Sequence, residues 1–287
     1  MIDRTTRVLV QGITGRTGRM HSRMMRAYGT NIVAGTSPRP EPVDGIPVFK
    51  TCAEAVAATG ATATVTFVGA DALLGAIREA VEAGLGLIVT PTEGMPVHDA
   101  LAALALVRAA GARWIGASTP GMAVPGEAKL GFLPEASLAP GAVGIMSKSG
   151  TLSYEVGYRL VQRGLGQSVW IGVGGDPVKG TRYAELVPFF AQHAATRVLV
   201  TIGEIGGSEE EELAAALAAQ RFAKPVLALV AGRSAREGVT MGHAGAMVHG
   251  EAGSWASKQA ALEAAGARVF DTVAALVDAV AAVLAAS

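Results

Sequence analysis

Four features of this chain have the residue types and spacing to do chemistry: a glycine loop near the start, a Ser-Lys-Ser turn, a lone carboxylate and a lone imidazole. The apolar run Val8–Val10 leads through Gln11 into Gly12-Ile13-Thr14-Gly15-Arg16-Thr17-Gly18, and a helical pattern follows. Such a turn aims backbone N–H groups of a helix N-terminus at a phosphate or pyrophosphate. Its spacing, G-x-x-G-x-x-G, is not the G-x-G-x-x-G of most dinucleotide binders, and it lacks the Lys-Ser/Thr ending of a Walker loop. Later in the chain, Ser147-Lys148-Ser149-Gly150-Thr151 ends a strand pattern and opens a helix pattern, a second anion site of the same kind. Glu204 stands alone in the apolar turn Ile202-Gly203-Glu204-Ile205-Gly206-Gly207, and His243 is flanked by small residues in Met241-Gly242-His243-Ala244-Gly245-Ala246. A neutral imidazole is a good nucleophile near pH 7. A carboxylate bonded to one ring nitrogen fixes the tautomer and leaves the other to attack. Together these motifs suggest a histidine that accepts a phosphoryl group, which helix N-termini then hold.

The elements that must position them are strands alternating with Ala-rich helices. Strands are predicted at 7–11, 32–35, 64–68, 86–90 and 113–116, then at 142–147, 168–173, 197–202, 225–230 and 267–270. Helices are predicted at 71–83, 99–110, 209–220 and 272–285; in the last, Val273, Leu276, Val277, Val280 and Leu284 share one face. Continuous apolar strands between helices mean parallel sheets covered on both faces, with ligands at the carboxyl ends of the strands. Gly116–Gly141 breaks the rhythm with Pro120, Pro125, Pro134 and Pro140. The expected organisation is a first domain over 1–122, a linker over 123–141 and a second domain over 142–287. Glu209–Glu212 reads as an acidic surface turn, and Ser208 with Glu211 as a capping box that starts a helix.

Composition narrows the class. Lys plus Arg equals Asp plus Glu at 24 each, and aromatic residues are 5% of the chain, so neither duplex nor single-stranded nucleic acid is an expected partner. Gly is 37 of 287 residues, about 13%, against roughly 7% on average, which signals tight turns and close backbone approach. Cys52 is the single cysteine, so no intrachain disulfide forms and a reducing, cytoplasmic setting is expected. Cys52 follows Thr51 at a predicted helix start and reads as a small structural residue. No membrane span and no metal site on this chain are expected. His98 and His193 read as surface groups, His21 as a loop-packing residue, and His249 lacks flanking chemistry. The second strand ends Gly35-Thr36-Ser37-Pro38-Arg39 without an acidic ribose reader, which counts against NAD. On charge alone, Arg39 suits the 2′-phosphate of NADP and the 3′-phosphate of CoA equally.

At these motifs the chain resembles the α subunit of succinyl-CoA synthetase and its relatives over nearly its whole length. The matching stretches are Gln11–Gly18 with His21, Thr92-Glu93-Gly94-Met95-Pro96, Pro125-Gly126-Glu127, Ser149–Glu155, Gly174-Gly175-Asp176-Pro177, Gly203–Gly207 and Gly242–Ala246. The resemblance implies an α/β fold: an N-terminal Rossmann-like CoA-binding domain followed by a flavodoxin-like parallel α/β domain. It implies CoA at Thr14, Gly15, Arg16 and Thr17, with Pro91, Thr92 and Glu93 lining the site. It implies a transiently phosphorylated His243 oriented by Glu204, phosphate and substrate contacts at Ser147, Ser149, Gly150 and Thr151, and Tyr154 on the substrate side. An ATP-grasp β subunit, in an αβ or α2β2 assembly, would supply ATP or GTP and Mg²⁺. The reaction would run through an acyl phosphate that the CoA thiol attacks.

Departures from the family pattern bear on the acid. Where the family reads Gly-Pro-Asn-Cys-Pro-Gly, this chain has Gly116-Ala117-Ser118-Thr119-Pro120-Gly121, so Ser118, with a shorter reach, replaces an Asn at the place where the resemblance implies that the CoA thiol and the acid meet. Lys148 replaces an Arg, trading a bidentate fork for a point charge. Pro40 stands where a Lys follows Pro38-Arg39, and Arg39 is the neighbouring cation. The acid stays open among succinate, malate, citrate, another dicarboxylate and a sulfonated acid. The competing readings are an NAD(P)-dependent reductase and a non-catalytic CoA-binding module.

Overall fold

The computed structural model describes residues 1–235, 246–247 and 253–286. The chain divides into two compact units, Met1–Leu133 with Val178–Gly180, and Pro134–Pro177 with Thr181–Ser287.

In the first unit, β1 (Val8–Gln11), β2 (Ile32–Thr36), β3 (Val48–Phe49), β4 (Ala63–Thr66), β5 (Leu87–Thr90) and β6 (Arg113–Gly116) form one sheet in the order β3-β2-β1-β4-β5-β6. All its pairings are parallel. This is the doubly wound order of dinucleotide-binding folds, and its direction reverses between β1 and β4. The helices are α1 (Arg16–Tyr28), α2 (Cys52–Thr59), α3 (Leu73–Glu82) and α4 (Val97–Ala109). Leu9, Ala34, Ile77, Ile88, Ala103, Val107 and Trp114 pack in the core. Thr51 caps α2 by accepting from the Glu54 N–H at 3.2 Å, as Thr-x-x-Glu predicts. The two-residue β3 and the hairpin β7 (Gly121–Val124) and β8 (Ala128–Gly131) were not expected from the sequence. The hairpin occupies much of what read as a linker, and the two units divide at Leu133 and Pro134.

In the second unit, β9 (Pro140–Ser147), β10 (Gln167–Gly172), β11 (Val198–Glu204), β12 (Val226–Ala231) and β13 (Arg268–Phe270) run in the order β13-β12-β11-β9-β10. These pairings are all parallel. Counted from β9, this is the 2-1-3-4-5 order of flavodoxin-like folds, with its switch point between β9 and β11. Buried Val143, Ile145, Val169, Trp170, Val200, Leu227 and Leu229 fill it, under α5 (Gly150–Gln162), α6 (Tyr183–Gln192), α7 (Glu209–Ala219), α8 (Trp255–Ala264) and α9 (Val273–Ala286).

Two expectations about this unit are overturned. Glu209–Glu212 does begin a helix, but it is not a surface turn: Glu209 and Glu210 are 3% and 1% exposed. Nor does a capping box form. Ser208 Oγ donates to Glu212 Oε1 at 2.7 Å and makes no cap bond. Among the described residues, no helix is long and apolar enough to cross a membrane.

Candidate functional site

Both candidate sites sit where strand order reverses. In the first unit, Gly12 adopts φ +76° and a Cβ there would lie 2.5 Å from the Phe67 carbonyl oxygen, so only glycine fits between β1 and β4. Gly18 is as constrained, since its Cβ would meet the Gly12 oxygen at 2.2 Å. These contacts seat α1 against the loop. Gly15 is its N-cap and makes no side-chain cap bond, so the first-turn amides keep their capacity for an anion. Arg16 and Thr17 are exposed beside them. Thr14 Oγ1 and Ser37 Oγ are 2.7 Å apart, and Ser37 Oγ also accepts from the Arg39 N–H at 3.1 Å. Arg39 itself is exposed.

A cavity of about 380 Å³ opens here, lined among others by Gln11, Gly12, Ser37, Pro38 and Lys50. Sequence reasoning missed Lys50. It follows β3, and a two-residue strand gives almost no sequence signal. It brings a cation beside Pro38, near the place where the family pattern led us to expect a lysine and Pro40 stands instead. Beyond β5, Pro91 is buried, Thr92 half-buried and Glu93 exposed. Thr92 Oγ1 donates to the Val68 carbonyl at 2.7 Å, and the Ser118 N–H donates to the Thr92 carbonyl at 2.8 Å. Ser118 holds φ +57°, the left-handed region that Asn tolerates better than Ser. His21 stacks on Phe67 and lies 4.5 Å from Phe132, and burial followed by the charge of Lys129 lowers its pKa. It packs the loop. The Cys52 thiol is pushed up to about 12, chiefly by burial and then by Glu79, as expected of a structural cysteine.

In the second unit, Ser147 pairs in register with Ile202 of β11, and the Lys148 N–H donates to the Ile202 carbonyl at 3.1 Å. Ser149 caps α5 by accepting from the Leu152 N–H at 3.3 Å, and Ser147 Oγ donates to the Ser149 carbonyl at 2.7 Å. Both hydroxyls therefore shape the turn, while the backbone at Gly150 and Thr151 forms the positive end of α5. Glu204 ends β11 and is 8% exposed. It belongs to the strand rather than to a flexible turn.

Lys148 does not project as a point charge toward an anion. It is 5% exposed and its Nζ lies 2.8 Å from Glu210 Oε1. Burial alone would lower its pKa, but Glu210 and Glu209 outweigh it and raise the value. Burial likewise pushes Glu210 up, and Lys148 with Lys258 more than reverses it.

Tyr154 lines a groove on α5 with Ser137, Tyr158 and Val277, its hydroxyl pushed up to about 12 by burial. His98 is exposed; His193 is half-buried, its Nδ1 2.9 Å from Thr196 Oγ1. His243 and His249 lie outside the described residues. The described chain on either side of that stretch is fixed beside Glu204: the Ile205 N–H donates to the Ala231 carbonyl at 3.0 Å and the Gly206 N–H to the Gly253 carbonyl at 2.8 Å.

Comparison with known proteins gives this arrangement a lineage. Residues 3–94 match the CoA binding domain model and residues 146–268 the CoA-ligase model. The chain is 45% identical over 274 residues to the succinate–CoA ligase [ADP-forming] subunit alpha 2 of Archaeoglobus fulgidus, covering 95% of each. The chain belongs to the succinate–CoA ligase α-subunit family. Its relative from Aquifex aeolicus is 43% identical over 288 residues, 99% of this chain and 94% of that one. Membership sets aside the NAD(P)-dependent reductase.

Solved structures share the fold of this α-subunit family member at lower identity. A Methanosaeta concilii ATP citrate lyase in complex with (3S)-citryl-CoA superposes with a TM-score of 0.88 at 23% identity, over 99% of this chain and 50% of that one. A dinucleotide forming acetyl-coenzyme A synthetase from Ca. Korarchaeum cryptofilum gives 0.78 at 20%, over 96% and 60%.

Proposed function

We propose that this chain is the CoA-binding, phosphohistidine-bearing subunit of a nucleoside-diphosphate-forming carboxylic acid–CoA ligase, working with an ATP-grasp β subunit that holds ATP or GTP and Mg²⁺. The observation that carries this reading is the second switch point. There the N-terminus of α5 and Glu204 lie at the ends of neighbouring strands, and the chain bearing His243 leaves and re-enters beside Glu204. Glu204 orients the imidazole so that one nitrogen is free to attack. His243 takes the γ-phosphoryl group of the nucleotide and releases the diphosphate. The amides at Gly150 and Thr151 hold the charge of the phosphoryl group. The acid carboxylate then takes the phosphoryl group, and the CoA thiolate attacks the acyl carbon and expels phosphate.

In the first unit, the amides following Gly15, with Thr14, Arg16 and Thr17, hold CoA phosphates. Arg39 and Lys50 add positive charge beside the cavity, and Pro91, Thr92 and Glu93 line the route toward Ser118. The cradle fits such a ligand, because its glycines leave backbone amides bare and its helix start has no side-chain cap. Succinate heads the acids to be tested, since the 45% and 43% identical relatives carry its name; Ser118 opens the panel to malate, citrate and a sulfonated acid.

The test is acyl-CoA formation by the purified complex, with each acid in turn. The reading predicts turnover that needs CoA, nucleotide and the β subunit together, with tight CoA binding and no NADPH binding by this chain. CoA binding without any turnover on any acid, with the β subunit present, would leave the non-catalytic CoA module as the better account.

A further inference from the structure

A buried cluster of charges in the second unit has no place in the chemistry above. Lys258 is 0% exposed, and its Nζ pairs with Glu210, with Glu211 at 2.9 Å and with the Gly207 carbonyl at 3.0 Å. Glu210 takes Lys148 on one oxygen at 2.8 Å, and the same oxygen accepts the Glu204 backbone N–H at 3.2 Å. Glu209 adds a longer pair with Lys148 at 3.9 Å and accepts the Tyr183 N–H at 3.1 Å. The Glu210 side chain packs against Gly203, where a Cβ would lie 2.4 Å from Glu210 Oε1.

The cluster therefore grips the backbone on both sides of Glu204, at its own N–H and at the Gly207 carbonyl. It also ties that segment to the end of β9 through Lys148, whose N–H is bonded to Ile202. The intervening Gly206 and Gly207 adopt φ +85° and +56° and have no side chains to fix them. Buried ion clusters contribute little to stability compared with an apolar replacement of equal volume. What this one supplies is geometry, since each charge fixes the place of the next and of the backbone it touches.

We infer that Lys148, Glu210 and Lys258 are positioning residues that set the height and direction of Glu204 at the second switch point. This rests on the proposed role of Glu204. It also accounts for lysine at 148: the point charge meets Glu210 inside the fold and leaves the positive end of α5 as the anion site. Glu210 falls in the stripe that Leu213, Ala214 and Leu217 bury on α7, so the helix carries the carboxylate inward as part of its packing.

The experiment measures the rate constant of phosphoenzyme formation at saturating ATP in the complex with the β subunit, for the wild type, Glu210→Gln, Lys148→Met and Lys148→Arg. CoA affinity and circular dichroism are measured in parallel. We expect a tenfold or greater loss of the rate constant in Glu210→Gln and Lys148→Met, with CoA affinity and ATP half-saturation unchanged. Lys148→Arg restores the charge and stays within threefold of wild type. A folding defect would lower the number of active sites and leave the rate constant of the folded fraction alone. A folded charge-removing variant phosphorylated at the wild-type rate overturns the inference, as does Lys148→Arg being as slow as Lys148→Met. If neither charge-removing variant folds, Lys148→Arg decides: agreement within threefold supports the inference and a tenfold loss overturns it. Absence of any phosphoenzyme in the wild-type complex is a different result, because it overturns the proposed function itself.

Discussion

The two units put their candidate sites at the same topological place, where strand order reverses, and build them from different materials. In the first, the switch point between β1 and β4 is made of backbone. Gly12 and Gly18 let chain segments touch, α1 begins without a side-chain cap, and the cations nearby, Arg16, Arg39 and Lys50, are exposed, with the carboxylates of Asp71 and Glu79 also lining the cavity. In the second, the switch point between β9 and β11 is braced by buried charge, with Lys148, Glu209, Glu210 and Lys258 each at most 5% exposed. A site that cradles a long, charged ligand needs bare amides and solvent-facing cations. A site that aims one carboxylate needs its neighbours fixed, and buried ion pairs fix them at a cost in stability.

The comparison breaks most sharply at its two strongest points. Lys258→Ala leaves Glu210 buried with one cation fewer, and the expected loss is about 3–5 kcal/mol of stability in the second unit, read as a lowered denaturant midpoint. Gly12→Ala puts a Cβ against the Phe67 carbonyl at a positive φ; it should cost about 2–3 kcal/mol from strain and displaced backbone. Calorimetry should show weaker CoA binding by at least tenfold, while phosphoenzyme formation is kept.

Acid and base sharpen the contrast. Glu210 lies below its ordinary value of 4.5 in the folded chain. Its contribution is therefore complete above about pH 4.5 and is lost as pH falls through the lowered folded value. Lys148 lies above its ordinary 10.5, so its contribution is complete below that pH and is lost as pH rises through the raised value. Chemical denaturation across pH should give the second unit a plateau from about pH 5 to 10 with a fall at each end. Glu210→Gln should flatten the acid side.

Smaller effects belong to the first unit. Ser118→Asn should raise stability by about 0.5–1 kcal/mol, because Asn adopts the left-handed region more readily than Ser; thermal unfolding reads this directly. Lys50→Ala should weaken CoA binding a few-fold and leave the melting temperature in place, since an exposed charge adds little to stability.

Much of this was legible in the sequence. Alternation of apolar strands with helices placed ten strands within two or three residues of their ends, and the glycine loop located the first switch point. The acidic run at 209–212 misled because consecutive glutamates look solvated, and burial is set by the partner lysines 148 and 258, far away in the chain. One local sign was available: Glu210 stands three and four residues before Leu213 and Ala214, on the apolar stripe. The β7–β8 hairpin was hidden by its glycines and prolines, which read as a linker. Gly121 and Gly131 are there because a Cβ at Gly121 would lie 2.0 Å from the Leu130 oxygen. Lys50 was missed for want of a strand long enough to show.

The central claim is that the second switch point carries a phosphoryl group on His243. The most direct test is to incubate the complex with labelled ATP, using wild type and His243→Ala with CoA binding verified in both. The account predicts an acid-labile, base-stable label on this chain in the wild type and none in the variant. A label of the same amount and lability in His243→Ala, or none in a wild-type complex that makes acyl-CoA, would contradict it.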